Sequence, residues 1–124
     1  MAVAQTNAAL VMQENSTDMT SHQVISLLLD GALERVAQAK KAIADGNDED
    51  KLILLGKIKA IINGLRNSLN LQDGGDIADN LDALYEYMIG RINDASTIEE
   101  YAVVTEVGKL LTEVKVGWDE LTPA

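Results

Sequence analysis

Thr97-Ile98-Glu99-Glu100, followed by Val104, Val107, Leu111, Val114, Trp118 and Leu121, is the stretch that decides the fold. Alternating steps of three and four over almost five turns keep these six side chains on one stripe of an α-helix, because 3.6 residues complete a turn. So regular a stripe is a bundle seam, in which apolar residues interlock with those of facing helices. The Thr-x-x-Glu start has the form of a capping box, whose hydroxyl and carboxylate each satisfy a backbone N–H that a first turn leaves without a partner. A helix over about 98–120 is predicted.

Reading backwards gives three more helices. One over about 76–95 presents Ile77, Leu81, Leu84, Met88 and Ala95, with Asp76, Asp79 and Asp82 near its start, where negative charge complements the helix dipole. Gln72-Asp73-Gly74-Gly75 reverses the chain before it. A helix over about 48–71 uses Leu55, Ile58, Ile62, Leu65 and Leu69. Its Gly56 and Gly64 each cost about 1 kcal/mol relative to alanine, which calls for compensating packing or a neighbouring backbone close by. The first helix, about 21–44, opens on Thr20-Ser21-His22-Gln23, a second capping-box pattern, carries Ile25, Leu28, Ala32, Val36, Ala39 and Ile43, and ends at Asp45-Gly46-Asn47. Residues 1–19 are small and polar apart from Leu10, Val11 and Met12, the pattern of a mobile arm with one short apolar patch.

Four helices joined by short connections pack antiparallel, since short loops leave no room for crossovers. The expected fold is all-α: an antiparallel up-down-up-down four-helix bundle over residues 20–121 with a mobile N-terminal arm. Apolar residues spill onto second faces at Leu27, Leu29, Leu33, Leu52, Ile61, Val103 and Leu110, either a wide core or a groove for a partner. The chain has 124 residues, enough for one domain, and its one proline, Pro123, interrupts no helix.

The formal charge of −10 argues against nucleic acid and anionic membranes, both of which reward basic surfaces. Residues 73–124 hold twelve acidic and three basic groups, so the second half would suit a basic or neutral partner. The absence of cysteine removes disulfides and thiolate chemistry and fits a reducing compartment. With neither a signal-peptide pattern at the N-terminus nor a run of about 18 apolar residues, a cytoplasmic protein without membrane insertion is expected.

Catalytic constellations are not apparent. His22 is the single histidine, in the first turn of a helix, where capping or simple exposure is expected. One histidine cannot supply a ferritin-like di-metal site. Asp73-Gly74-Gly75-Asp76 lacks the ligand ladder of an EF-hand, and no strand precedes those glycines to make a phosphate cradle. The reading is a non-enzyme with no cofactor and no metal.

All four aromatic residues, Tyr85, Tyr87, Tyr101 and Trp118, lie beyond position 84. Large amphipathic side chains are core filler or anchors for a partner. If Leu81, Leu84 and Met88 face the core, then Asn80, Tyr87 and Arg91 share one flank of the third helix, and Asn63, Arg66 and Asn70 a comparable flank of the second.

Four segments, in order, resemble the FliS family of flagellar secretion chaperones. Leu29-Asp30-Gly31-Ala32-Leu33 is similar to the family's Asp-Gly-Ala/Val-Leu signature, and Ile62-Asn63-Gly64-Leu65-Arg66-Asn67-Ser68-Leu69-Asn70 to its segment ending in Ser-Leu-Asn/Asp. Asn80-Leu81-x-x-Leu84-Tyr85-x-Tyr87-Met88-x-x-Arg91 resembles its most recognisable stretch, and Trp118 stands where the family closes its last helix. The chain departs from the family pattern at His22, at Val116-Gly117 before the tryptophan, and in an arm without tyrosine. The resemblance implies a cytoplasmic chaperone without a cofactor that binds the disordered C-terminal segment of flagellin, blocks premature polymerisation and presents it to the flagellar type III export apparatus. Asn63, Arg66, Leu69, Asn70, Asn80, Leu84, Tyr87 and Arg91 are the expected partner-binding residues. Export components or a flagellar regulator are further partners the reading admits, and a homodimer is allowed. The rival readings are a structural helical homo-oligomer and a regulatory adaptor that sequesters another flagellar protein. On either chaperone or adaptor reading, Leu10, Val11 and Met12 are expected to cover the groove when it is empty.

Overall fold

The computed structural model describes residues 20–69 and 75–121, which form four helices: α1 (Ser21–Ala44), α2 (Asp48–Asn67), α3 (Gly75–Asp94) and α4 (Glu100–Asp119). α1 packs against α2 and α4, α2 against α3, and α3 more loosely against α4, so the helices form a ring in chain order. Directions follow from contacts between ends. The start of α1 meets the end of α4 at His22 and Trp118, and the end of α2 meets the start of α3 at Arg66 and Asp82. This is the expected antiparallel up-down-up-down bundle.

The helix ends follow local chemistry. Thr20 caps α1 with a complete capping box: its hydroxyl accepts from the Gln23 N–H at 3.1 Å, and the Gln23 amide oxygen accepts from the Thr20 N–H at 2.8 Å. Gly46, at φ 73°, then turns the chain through the left-handed region that glycine enters without strain. The Asn47 N–H reaches back to the Ala42 carbonyl, and the Asn47 side chain accepts from the Asp50 N–H to cap α2, so one residue closes one helix and opens the next.

Two expected ends move. α2 stops at Asn67, with Ser68 as its C-cap, short of the expected 71. α4 starts at Glu100, and the Thr97–Glu100 box does not form. The Glu99 carboxylate instead accepts from the Ser96 N–H at 3.0 Å, one residue earlier, and Glu99 caps nothing with its side chain. Residues 1–19, which include the arm and its Leu10-Val11-Met12 patch, and Asn70 lie outside the described residues.

The core is a column of Leu29, Val36, Ile58, Ile62, Tyr85, Met88, Val104 and Leu111 with their neighbours. Leu29 and Val103, expected on second faces, are buried to 0% and 1% exposure and belong to it. Ile77, expected in the core, is 74% exposed, and the α3 stripe runs through Ala78, Tyr85, Met88 and Ile92 instead. Ile77 shares an azimuth with Leu81 and Met88, but in this first turn the adjacent Ala78 takes the buried place and Ile77 lies toward solvent. Burial pushes the Tyr85 hydroxyl up to about 12.

Glycine acts in two ways along these helices. A Cβ on Gly108 would stand 2.8 Å from Val36 Cγ1, so α4 approaches α1 only because residue 108 has no side chain. Gly56 and Gly64 have open space over them, so the close neighbouring backbone expected there is absent among the described residues.

Candidate binding surface

The ring has two kinds of seam beside α4. Toward α1 it is closed. The His22 and Trp118 rings stack with centroids 4.9 Å apart and planes 13° from parallel. Trp118 Nε1 donates to the His22 carbonyl at 3.0 Å, and His22 Nε2 donates to the Trp118 carbonyl at 2.9 Å. A carbonyl only accepts, so His22 carries a proton on Nε2. The histidine expected to cap or to be exposed is a clamp between the first and last helices at one end of the bundle. Along the same seam, Lys115 bridges to Asp30 at 3.4 Å and Lys40 lies 5.4 Å above the Tyr101 ring.

Toward α3 the seam is polar in one half and apolar in the other. Tyr87 Oη donates to Glu106 Oε2 at 2.7 Å, and Arg91 Nε donates to Glu106 Oε1 at 2.9 Å. Tyr87 first and Arg91 second hold the Glu106 carboxyl below the usual carboxylate range, and the same bond to Glu106 raises the Tyr87 hydroxyl. From this latch the helices run antiparallel, so moving back along α3 is moving forward along α4. Leu84, Leu81 and Ile77 thus come level with Leu110, Val114 and the turn from Gly117 to Leu121. These residues are half-buried or exposed, with Ile77 and Leu121 at 74% and 55%, so an apolar floor opens toward solvent at the α4 C-terminal end. Asp76, Glu113 and Glu120 are exposed along the edges.

The eight expected partner-binding residues separate accordingly. Asn80, Leu84, Tyr87 and Arg91 lie on the α4 side of α3, with Leu84 half-buried and Asn80 exposed. Arg66 lies on the other side of α3. Its Nε and Nη2 donate to Asp82 at 2.8 and 3.2 Å, a two-pronged pair that raises the guanidinium pKa and lowers that of the Asp82 carboxyl. Leu69 packs half-buried on the core beyond α2, and Asn63 is exposed. The two flanks read from the sequence therefore face different neighbours of α3, and both arginines are engaged by carboxylates. Glu106, Leu110, Gly117 and Leu121 were absent from the expected site. Leu121 ends the α4 stripe and Leu110 stood among its second-face residues, whereas nothing in the sequence singled out Glu106 or Gly117.

A further interhelical ion pair belongs to the frame. Lys51, 8% exposed, reaches from the start of α2 to Glu100 at 2.8 Å, and this bond raises its pKa. A further cleft of about 410 Å³ lies between the α1 and α2 ends near Ala42, Ile53 and Leu54, with Lys41 and Lys57 at its rim. Among the described residues no group of three or more histidine, cysteine, aspartate or glutamate side chains is placed to hold a metal ion. No helix among them is long and apolar enough to cross a membrane.

The described residues thus form a four-helix bundle with one closed and one partly open seam beside its last helix. The model of the FliS family, described as flagellar protein FliS, matches residues 3–124, and this chain belongs to that family. It is 46% identical over 106 residues to the flagellar secretion chaperone FliSB of Pseudomonas aeruginosa, covering 86% of this chain and 84% of that one. It is 39% identical over 102 residues to the flagellar secretion chaperone FliS of Vibrio cholerae, covering 82% and 75%. The FliS of Salmonella typhimurium is 36% identical over 103 residues, covering 82% and 76%. The family supports a chaperone role in flagellar export.

Proposed function

We propose that this protein binds the disordered C-terminal segment of flagellin in the cytoplasm, prevents its premature polymerisation and delivers it to the flagellar type III export apparatus, without catalysing a reaction. The observation that carries the reading is the open apolar half of the α3–α4 seam, whose length of about two turns from Leu84 to Ile77 fits a short amphipathic helix. A client that folds only on binding spends part of its contact energy on ordering, so a large contact remains releasable at the export gate. Asn80, Leu84, Tyr87 and Arg91 form the α3 wall of this site, and Asn63, Arg66, Leu69 and Asn70 a second strip for the client as it continues around the bundle. In this reading residues 1–19 shield the floor when no client is present, since Thr20, where the described residues begin, lies close to the His22–Trp118 clamp.

Calorimetric titration with the C-terminal segment of flagellin from the same organism, against a scrambled segment of equal composition, tests the reading. Sub-micromolar binding with a large negative heat-capacity change is expected. No binding withdraws flagellin as the client and leaves a homo-oligomer, visible as mass that rises with concentration, or an adaptor for another flagellar protein. Tyr87→Ala is expected to weaken binding more than folding, and equal losses would remove Tyr87 from the site. Deleting residues 1–18 is expected to raise affinity, and an unchanged or lower affinity would remove the shielding role.

A further inference from the structure

We infer that Gly117 is the contact point that selects the client: a bulky apolar side chain of the bound helix sits directly over it, on a helix whose flanks are free of carboxylates. This rests on the reading of the α3–α4 seam as the flagellin site. A glycine inside a helix costs stability, and in α4 only one of the two has an internal reason. Gly108 makes room for Val36, whereas a Cβ on Gly117 would meet nothing within 4 Å. Gly56, Gly64 and Gly90 are open as well; Gly117 differs in continuing the half-buried Leu110–Val114 line of α4. Gly117 stands in the stripe Leu110, Val114, Gly117, Leu121, at steps of four, three and four, on the side of α4 that faces α3. It is the one position on that stripe without a side chain, so the floor falls to the backbone there, between Val114 and Leu121.

The edges name the rest of the occupant. Asp76 on α3 and Glu113 and Glu120 on α4 are exposed carboxylates without an ion pair among the described residues, in a chain of net charge −10. They repel an acidic helix and favour one with basic or neutral flanks. The occupant is thus an amphipathic helix with aliphatic residues on one face, the largest of them over Gly117, and lysine, arginine, asparagine or glutamine beside it.

The test is titration of the full-length protein and its Gly117→Leu variant with the flagellin C-terminal peptide, and of the wild-type protein with the same peptide carrying two glutamates on its polar flank. Thermal unfolding of both proteins accompanies it. Gly117→Leu is expected to melt at or above the wild-type temperature, because leucine favours helix and has room, while its affinity falls at least about tenfold. The glutamate peptide is expected to bind more weakly, with the deficit shrinking at high salt. Wild-type affinity retained by Gly117→Leu, or by the glutamate peptide, overturns the inference and leaves the flagellin reading standing. A peptide that fails to bind the wild-type protein removes both. If Gly117→Leu melts lower, Gly117→Ala decides, with unchanged stability and wild-type affinity counting against the inference.

Discussion

Helix α4 is one sequence with two different sides. Its α1 side is built for permanence: a glycine that admits Val36, a stacked His22–Trp118 pair with two reciprocal hydrogen bonds, and a lysine bridging to Asp30. Its α3 side is held at mid-length by Glu106 and then opens over an exposed apolar floor. Buried contacts and short hydrogen bonds hold a seam against thermal motion, and a seam that relies on partly exposed ion pairs parts more easily. The difference teaches where a bundle that must hold another chain can yield without unfolding. The closed side fixes α1 and α4 as a frame, and the open side is the one proposed to receive the client.

Three experiments probe this asymmetry. The largest effect is expected from Trp118→Ala, which removes the stacked ring and its hydrogen bond and should destabilise the fold by about 3 kcal/mol in urea unfolding. A loss no larger than that of an exposed residue would mean that the clamp is ornamental and the two seams are alike. Next comes one substitution at two sites. Gly108→Ala forces a methyl to within 2.8 Å of a stiff valine and should cost about 1 kcal/mol or more despite alanine's better helix propensity. Gly117→Ala, in open space, should stabilise by up to about 1 kcal/mol. Equal signs would erase the contrast.

The smallest effect concerns pH. Tyr87 and Arg91 depress the Glu106 pKa in the folded state, so its contribution is complete above the ordinary carboxylate value near 4.5 and is lost as pH falls through the lower folded value. Amide hydrogen exchange is expected to quicken in α3 before α1 as pH drops through that range, and Glu106→Gln should abolish the difference. Asp82, also depressed by its arginine, loses its contribution over the same acid range on the α2 side of α3, so Asp82→Asn is the control. Simultaneous loosening of α1 and α3 in the wild type would place the weak point elsewhere.

Much of this was legible in the residues. The alternating spacings gave four helices, and the Thr20–Gln23 box and the Asp45-Gly46-Asn47 turn placed their junction chemistry correctly, because caps depend on neighbours three or four positions away. The Thr97 box failed because Ser96 offers the same chemistry one residue earlier and the Glu99 carboxylate takes it. Ile77 moved from the expected core to the surface for a different reason: Ala78 beside it is the buried residue of that turn, and helical spacing does not say which of two neighbouring faces meets the next helix. The site was half legible: Tyr87 and Arg91 do share a flank, but nothing in their spacing named Glu106 as their partner or put Arg66 across α3 from them.

By itself, then, the sequence determined the helices and their antiparallel order, the Asp45-Gly46-Asn47 turn and the family, since each depends on local spacing, capping and connection length. Tertiary structure alone decided which carboxylate each arginine meets, that His22 lies against Trp118 across 96 residues of chain, and that one glycine of α4 is filled by Val36 while the other faces open space. Those outcomes depend on the rotation and axial offset of whole helices, which are set by the sum of all core contacts and by no single segment.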